Sequence, residues 1–247
     1  MRKGLRKIFG SAFTIGALAI VVMLAGSARA DVFNTTLATP PGTYFGTGNS
    51  AGGWTVNTTS SVEVGLRAKY RFGAEIDTPT DVYDVLAGPC IIAPCNQSGN
   101  KPALALWNFD YSINLAGTGL TLPDVAQYTI LTIEVWDGLT QIGTTQTIKP
   151  LVDITDNWVI GGDPNHVGRL AGNNVAQNSE NPGWFIPGFD PNAGYLYEIA
   201  LDVRNSSNVS LASTEIDVQV SPEPSAVILL GTALLGAFVM ARRRRTA

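Results

Sequence analysis

Between residues 31 and 221 the apolar side chains recur at every second position, and no stretch keeps a helical period. In VEVGLRAKYRF, Val62, Val64, Leu66, Ala68, Tyr70 and Phe72 alternate with Glu63, Gly65, Arg67, Lys69 and Arg71. A period of two places successive side chains on opposite faces of a strand, so this segment predicts one buried and one wet face. The Arg67/Lys69/Arg71 stripe is expected on the wet face, paired with acids of a neighbouring strand. WNFDYSIN, YLYEIALDVR and TEIDVQV repeat the pattern, whereas YTILTIEVW is apolar on both faces and predicts a more central strand. Shorter candidates lie at 54–58, 141–148 and 157–160. Turn-rich stretches such as GPCIIAPCNQSGNKP, GGDPNHVG and IPGFDPNAG separate them. About eight strands with no intervening helices predict an all-β fold, an antiparallel β-sandwich of jelly-roll or Ig-like type filling residues 31–221.

The two ends do not share this pattern. Residues 1–30 read as a signal peptide: Arg2, Lys3, Arg6 and Lys7, then an apolar run, then Ala28-Arg29-Ala30. The small side chains of Ala28 and Ala30 suit signal peptidase, and cleavage after Ala30 is expected. At the other end, Pro222-Glu223-Pro224 is followed by seventeen uncharged residues, 225–241, and then by Arg242, Arg243, Arg244 and Arg245. As a helix the uncharged run reaches about 25 Å, near the lower limit for a hydrocarbon core about 30 Å thick. Four arginines would stop transfer and stay on the cytoplasmic side of the inner membrane. Two prolines interrupt both helix and sheet ladder, so the joint at 221–224 is expected to be extended and accessible.

Pro222-Glu223-Pro224, the apolar transmembrane helix at 225–241 and the Arg242–Arg245 cluster together resemble the PEP-CTERM sorting signal. The resemblance implies a Gram-negative host that makes exopolysaccharide, and an exosortase that removes the tail after a transient stay in the inner membrane. It spans 222–247 only. A tail made to be cut off need be held only briefly, which fits its marginal length. The segments PGTYFGTGNSAGGWTV, VEVGLRAKYRF, WNFDYSI, AQNSENPGWF and GYLYEIALDV resemble an uncharacterised type of ectodomain that carries this signal; that likeness implies fold and location, and no activity.

Charge narrows the function classes. Of sixteen basic residues nine lie in the two ends, leaving seven between 31 and 224 against all twenty acids, a formal charge of −13 for the body. Such a surface repels phosphate backbones, so nucleic acid is not an expected partner. Extracellular polysaccharide is an expected partner on the sorting-signal resemblance alone.

Few residues offer chemistry. Cys90 and Cys95, the only cysteines, predict a local disulfide in an exported protein. The single histidine, His166, sits in a loop without a G-x-S-x-G elbow or HExxH, and no catalytic residue is assigned; the protein is not expected to be an enzyme. Asp153, Asp156, Asp163 and Asp190 lie among Asn and Gly in turns, weak candidates for calcium; no other cofactor or metal is expected. Trp158 and Trp184 lie near loops and are the candidates for glycan contact, since indole faces stack on pyranose rings. A structural or adhesive role in an extracellular or biofilm matrix is the first expectation, a carbohydrate-binding module the second, and a polysaccharide-acting enzyme with a carboxylate pair the third.

Overall fold

The structure, a computed structural model, describes residues 30–44, 51–73, 75–160 and 169–222. Ala28, Glu223, Pro224, the apolar run 225–241, Arg242–Arg245, Asp163 and His166 lie outside the described residues. Among those described, no helix is long and apolar enough to cross a membrane.

The chain is all-β. In order it forms β1 (Val32–Thr35), β2 (Trp54–Thr59), β3 (Val62–Tyr70), β4 (Val82–Leu86), β5 (Pro89–Cys90), β6 (Lys101–Ala105) and β7 (Trp107–Asn114). A short helix α1 (Leu122–Ala126) precedes β8 (Ile130–Asp137), β9 (Thr140–Gln141) and β10 (Gln146–Ile148). A second, α2 (Pro150–Asp153), precedes β11 (Trp158–Val159), β12 (Val175–Glu180), β13 (Leu196–Arg204) and β14 (Ser210–Ser221). One sheet has the order β1-β2-β3-β7-β12-β11; the other runs β10-β8-β13-β14-β4, with β9 paired to β8. Strands β5 and β6 form a small ribbon apart.

The apolar faces of both sheets meet in one core. Val64, Leu66, Phe109 and Ile113 of the first sheet pack with Leu131, Ile133, Ile199, Leu201, Ile216 and Val218 of the second. Burial on this scale is the main favourable term available to the fold.

Three sequence expectations need correction. First, the pairing is mixed: β4 runs parallel to β14, with Val82 opposite Asp217 and Leu86 opposite Ser221. The connection 71–81 carries the chain back along the molecule before β4 begins, so β4 sets out in the direction that β14 later takes. Second, β3 has no wet face. All of Val62–Lys69 is buried, and so is all of β7. Residues 37–44 and 51–53 lie against the far side of these two central strands: the Ala38 amide donates to Glu63 Oε2 (3.0 Å), and Gln177 Nε2 donates to the Gly42 carbonyl (2.8 Å). Leu37, Trp54 and Val56 make a second small core there. Gly65 permits the approach, since a Cβ at that position would lie 2.8 Å from Leu37 Cδ2. Third, β8 is not apolar on both faces; Leu131, Ile133 and Val135 are buried while Ile130, Thr132, Glu134 and Trp136 face outward and are half-buried. The outer side of its sheet is open.

Under the crossing segment, two of the expected surface cations become internal. Arg67 Nε donates to Asp110 Oδ2 (2.8 Å), and Lys69 Nζ lies 3.1 Å from the same oxygen. Arg67 also donates to the Gly52 carbonyl (2.7 Å) and lies over the Trp54 ring, 4.4 Å from its centroid. Burial lowers the pKa of the Lys69 ammonium, and Asp110 opposes that shift.

Register shows which ends of the strands coincide. The last residues of β14 lie beside Leu86, Leu196 lies opposite both Gln219 and Trp136, and the Leu86 amide donates to the Tyr70 hydroxyl (3.3 Å). The end of β3, the end of β4 and the β8–β9 turn therefore gather where the chain leaves the domain at Pro222. We call this the exit end.

Candidate functional site

At the exit end the sequence Asn181-Pro182-Gly183-Trp184 makes a single 3-10 turn after β12. Asn181, fully buried, fixes it. Its Nδ2 donates to the carbonyls of Ala105 (3.0 Å) and Trp107 (2.9 Å) and to Asn108 Oδ1 (2.9 Å). Its Oδ1 accepts from the amides of Ala105 (3.0 Å) and Gly183 (3.1 Å). Gly183 has no room for a side chain, because a Cβ would lie 2.6 Å from the Ala103 carbonyl oxygen. Every element of this turn is held in place, and its product is an outward indole: Trp184 is 50% exposed.

Trp184 does not stand alone. The Arg71 guanidinium lies 5.4 Å from its ring centroid and 5.1 Å from that of Phe72, itself 46% exposed. Phe72 owes its outward position to a left-handed backbone (φ 56°) just past the end of β3. Arg71 Nη2 reaches Ser98 Oγ at 3.5 Å, while its Nε and Nη1 are buried without a hydrogen-bond partner. A cation between two rings is attracted by both quadrupoles and holds them in a fixed relation. The result is a platform of two exposed aromatic faces around one guanidinium, suited to stacking on a ring and to receiving a carboxylate.

Beneath the platform lies Glu180, 3% exposed, whose Oε1 has no hydrogen-bond partner. Burial pushes its pKa up to about 9, with Asp156 and Asp110 adding to the shift and Arg71 opposing it. The carboxyl is therefore protonated at neutral pH. Arg71 shifts the opposite way, lowered by burial and held up by Glu180.

The other candidates fall elsewhere. Trp158 is half-buried on the far side of the first sheet, packed against the cluster of Leu37, Trp54 and Val56. Asp153 accepts from the Lys149 amide (2.7 Å), Asp156 from Asn178 Nδ2 (3.1 Å) and Asp190 from the Asn192 amide (2.9 Å). The first and third are local turn contacts and the second joins two separate segments, so the three carboxylates do not converge. Among the described residues no group of three or more Asp, Glu, His or Cys side chains could hold a metal. Cys90 and Cys95 are joined in a disulfide and pack with Leu104 and Leu106 outside both sheets. Ala30 and Pro222, the first and last described residues, are exposed.

The open face of the second sheet is acidic. Glu134, Glu198 and Asp217 lie directly opposite one another across three strands, and like charges so placed oppose the pairing. Burial, then the neighbouring Glu198 and Asp81, raise the pKa of Asp217; Glu215 is raised by burial and by Glu198, Asp217, Asp81 and Glu134.

No family model, curated protein or solved structure matches the chain.

Proposed function

We propose that this chain is an exported precursor, sorted by an exosortase and released as a structural or adhesive protein at the surface or in the extracellular matrix of a Gram-negative bacterium. The observation that carries the proposal is the three-part C-terminal signal of Pro222-Glu223-Pro224, the uncharged run 225–241 and the Arg242–Arg245 cluster. The fold is compatible with it. The hydrogen-bonded body ends at Ser221 and Pro222 is exposed, so a protease could reach the joint without opening the domain. Two facing sheets with one shared core suit a β-sandwich of the jelly-roll or Ig-like class, a compact form for a protein working outside the cell. The role is non-enzymatic, and its partners are signal peptidase, exosortase, the inner membrane in transit, and matrix polysaccharide.

The test is to express the full chain with and without an exosortase and to measure the intact mass of the surface-exposed protein. Loss of the segment after the Pro-Glu-Pro only when exosortase is present is the expected result. Surface protein that still carries Arg242–Arg245 overturns the reading in favour of a permanent anchor.

A second reading is favoured by the platform: Trp184, with Arg71 and Phe72, contacts carbohydrate, and acidic sugars best fit the guanidinium. Glycan-array binding that Trp184→Ala abolishes would support it, and binding unaffected by that change would end it.

A further inference from the structure

We infer that the exit end of the domain is a lipid-contacting surface, resting against the bilayer while the tail is in place. The inference rests on the reading of 225–241 as a membrane segment, and its evidence lies in where the exposed apolar side chains are. Ile91 and Ile92 project from the disulfide-closed loop, Ile92 being 54% exposed. With Leu106 and Pro222 they line a cavity of about 340 Å³ at the point where the chain departs. Leu86 lies opposite Ser221 in the ladder. Leu139 tips the β8–β9 turn and is 99% exposed. The register already described places that turn at the same end, and Phe72 and Trp184 of the platform lie there too. The opposite end of the second sheet is a turn of Asn205, Ser206, Ser207 and Asn208, with Val209 beside it.

Chain length supplies the occupant. Two residues separate Pro222 from Ser225, so the three Cα-to-Cα steps between them reach about 10 Å when fully extended. The headgroup layer on each side of the hydrocarbon core is about 5–7 Å deep. A domain tethered so closely has its exit end in or against the headgroups. Isoleucine and leucine placed there gain by leaving water, and Trp184 and Phe72 suit the boundary between chain and headgroup.

The experiment uses the full-length precursor in zwitterionic phosphatidylcholine vesicles, with no exosortase present. With the native cysteines joined, one added cysteine carries an environment-sensitive fluorophore, and mass spectrometry verifies that the disulfide is intact. Labels at Ile92→Cys and Leu139→Cys should be blue-shifted and quenched by shallow nitroxide lipids. A label at Leu234→Cys should be quenched by deep ones, and one at Val209→Cys by neither. The near-complete exposure of Leu139 keeps the test valid even if Ile92→Cys misfolds. Quenching at 234 with none at 92 and 139 overturns the inference and leaves the tail reading intact. No quenching at 234 overturns both. Self-quenching that grows with the protein-to-lipid ratio in the absence of nitroxide assigns the surface to a second copy, which also overturns the inference.

Discussion

Replacing Glu180 with Gln should make the protein more stable at neutral pH. The native carboxyl has its pKa pushed from 4.5 to about 9 by burial and by the acids around it. A group raised in the folded state keeps its full contribution below its unfolded pKa and loses it as pH rises toward the folded value. Between about pH 4.5 and 9 the native state thus holds a proton that the unfolded chain releases, and stability falls as pH increases. At pH 7 the difference covers about 2.5 units, and at 1.36 kcal/mol per unit that is about 3 kcal/mol. Gln fills the same space, carries no charge and removes the linkage. Urea unfolding at pH 5, 7 and 9 should show the native protein losing stability across the series while Glu180→Gln stays flatter. The gap at pH 7 should be about 3 kcal/mol, or about 6–12 °C in Tm for a domain of this size. Asp217 and Glu215 on the open face, both raised by burial and by neighbouring acids, are present in both proteins, so the difference between the curves isolates Glu180. Parallel curves would refute the reasoning, since they would mean that Glu180 is ionised or solvated in the folded state.

Asp110→Asn should cost about 3–5 kcal/mol, because it takes the shared carboxylate from two buried cations; thermal denaturation should show a drop of about 6–20 °C. Gly183→Ala drives a methyl against the Ala103 carbonyl and should cost about 1–3 kcal/mol, with altered Trp184 fluorescence at temperatures where the core is intact. Opening the Cys90–Cys95 loop by Cys→Ser at both positions should cost about 2–3 kcal/mol or less on a chain-entropy estimate. Near-ultraviolet circular dichroism of the core aromatics should survive it, because the loop lies outside both sheets.

Period two made the fold class and most of the long strands legible in the sequence, and the core residues of β3, β7, β13 and β14 with them. It could not show β12, whose Gln177, Asn178 and Glu180 are almost wholly buried and whose Ser179 is half-buried. Those polar groups are inside because neighbouring strands and residues 37–44 cover them, and local pattern carries no record of such cover. For the same reason Arg67 and Lys69 read as wet. Alternation says that they face away from the core; only tertiary structure says that another layer lies there. The parallel β4 was equally hidden, since strand direction depends on the route of a connection. At the candidate site Trp184 was visible as an aromatic beside Pro-Gly. Its partners Arg71 and Phe72, more than a hundred residues earlier, read as the tail of a strand, and the Asn181 contacts that fix the turn join segments far apart in sequence.

Strand β14 has a mechanical consequence. It pairs with β13 from Ser210 to Gln219 on one side and with β4 from Asp217 to Ser221 on the other. Tension applied through Pro222 pulls along the strand, at right angles to bonds that lie across it. Two rows then share the load in shear and must yield together, whereas a peeled strand would surrender them one by one. A domain stitched this way can be tugged by its carboxyl end, by a protease or by flowing medium, and keep its shape.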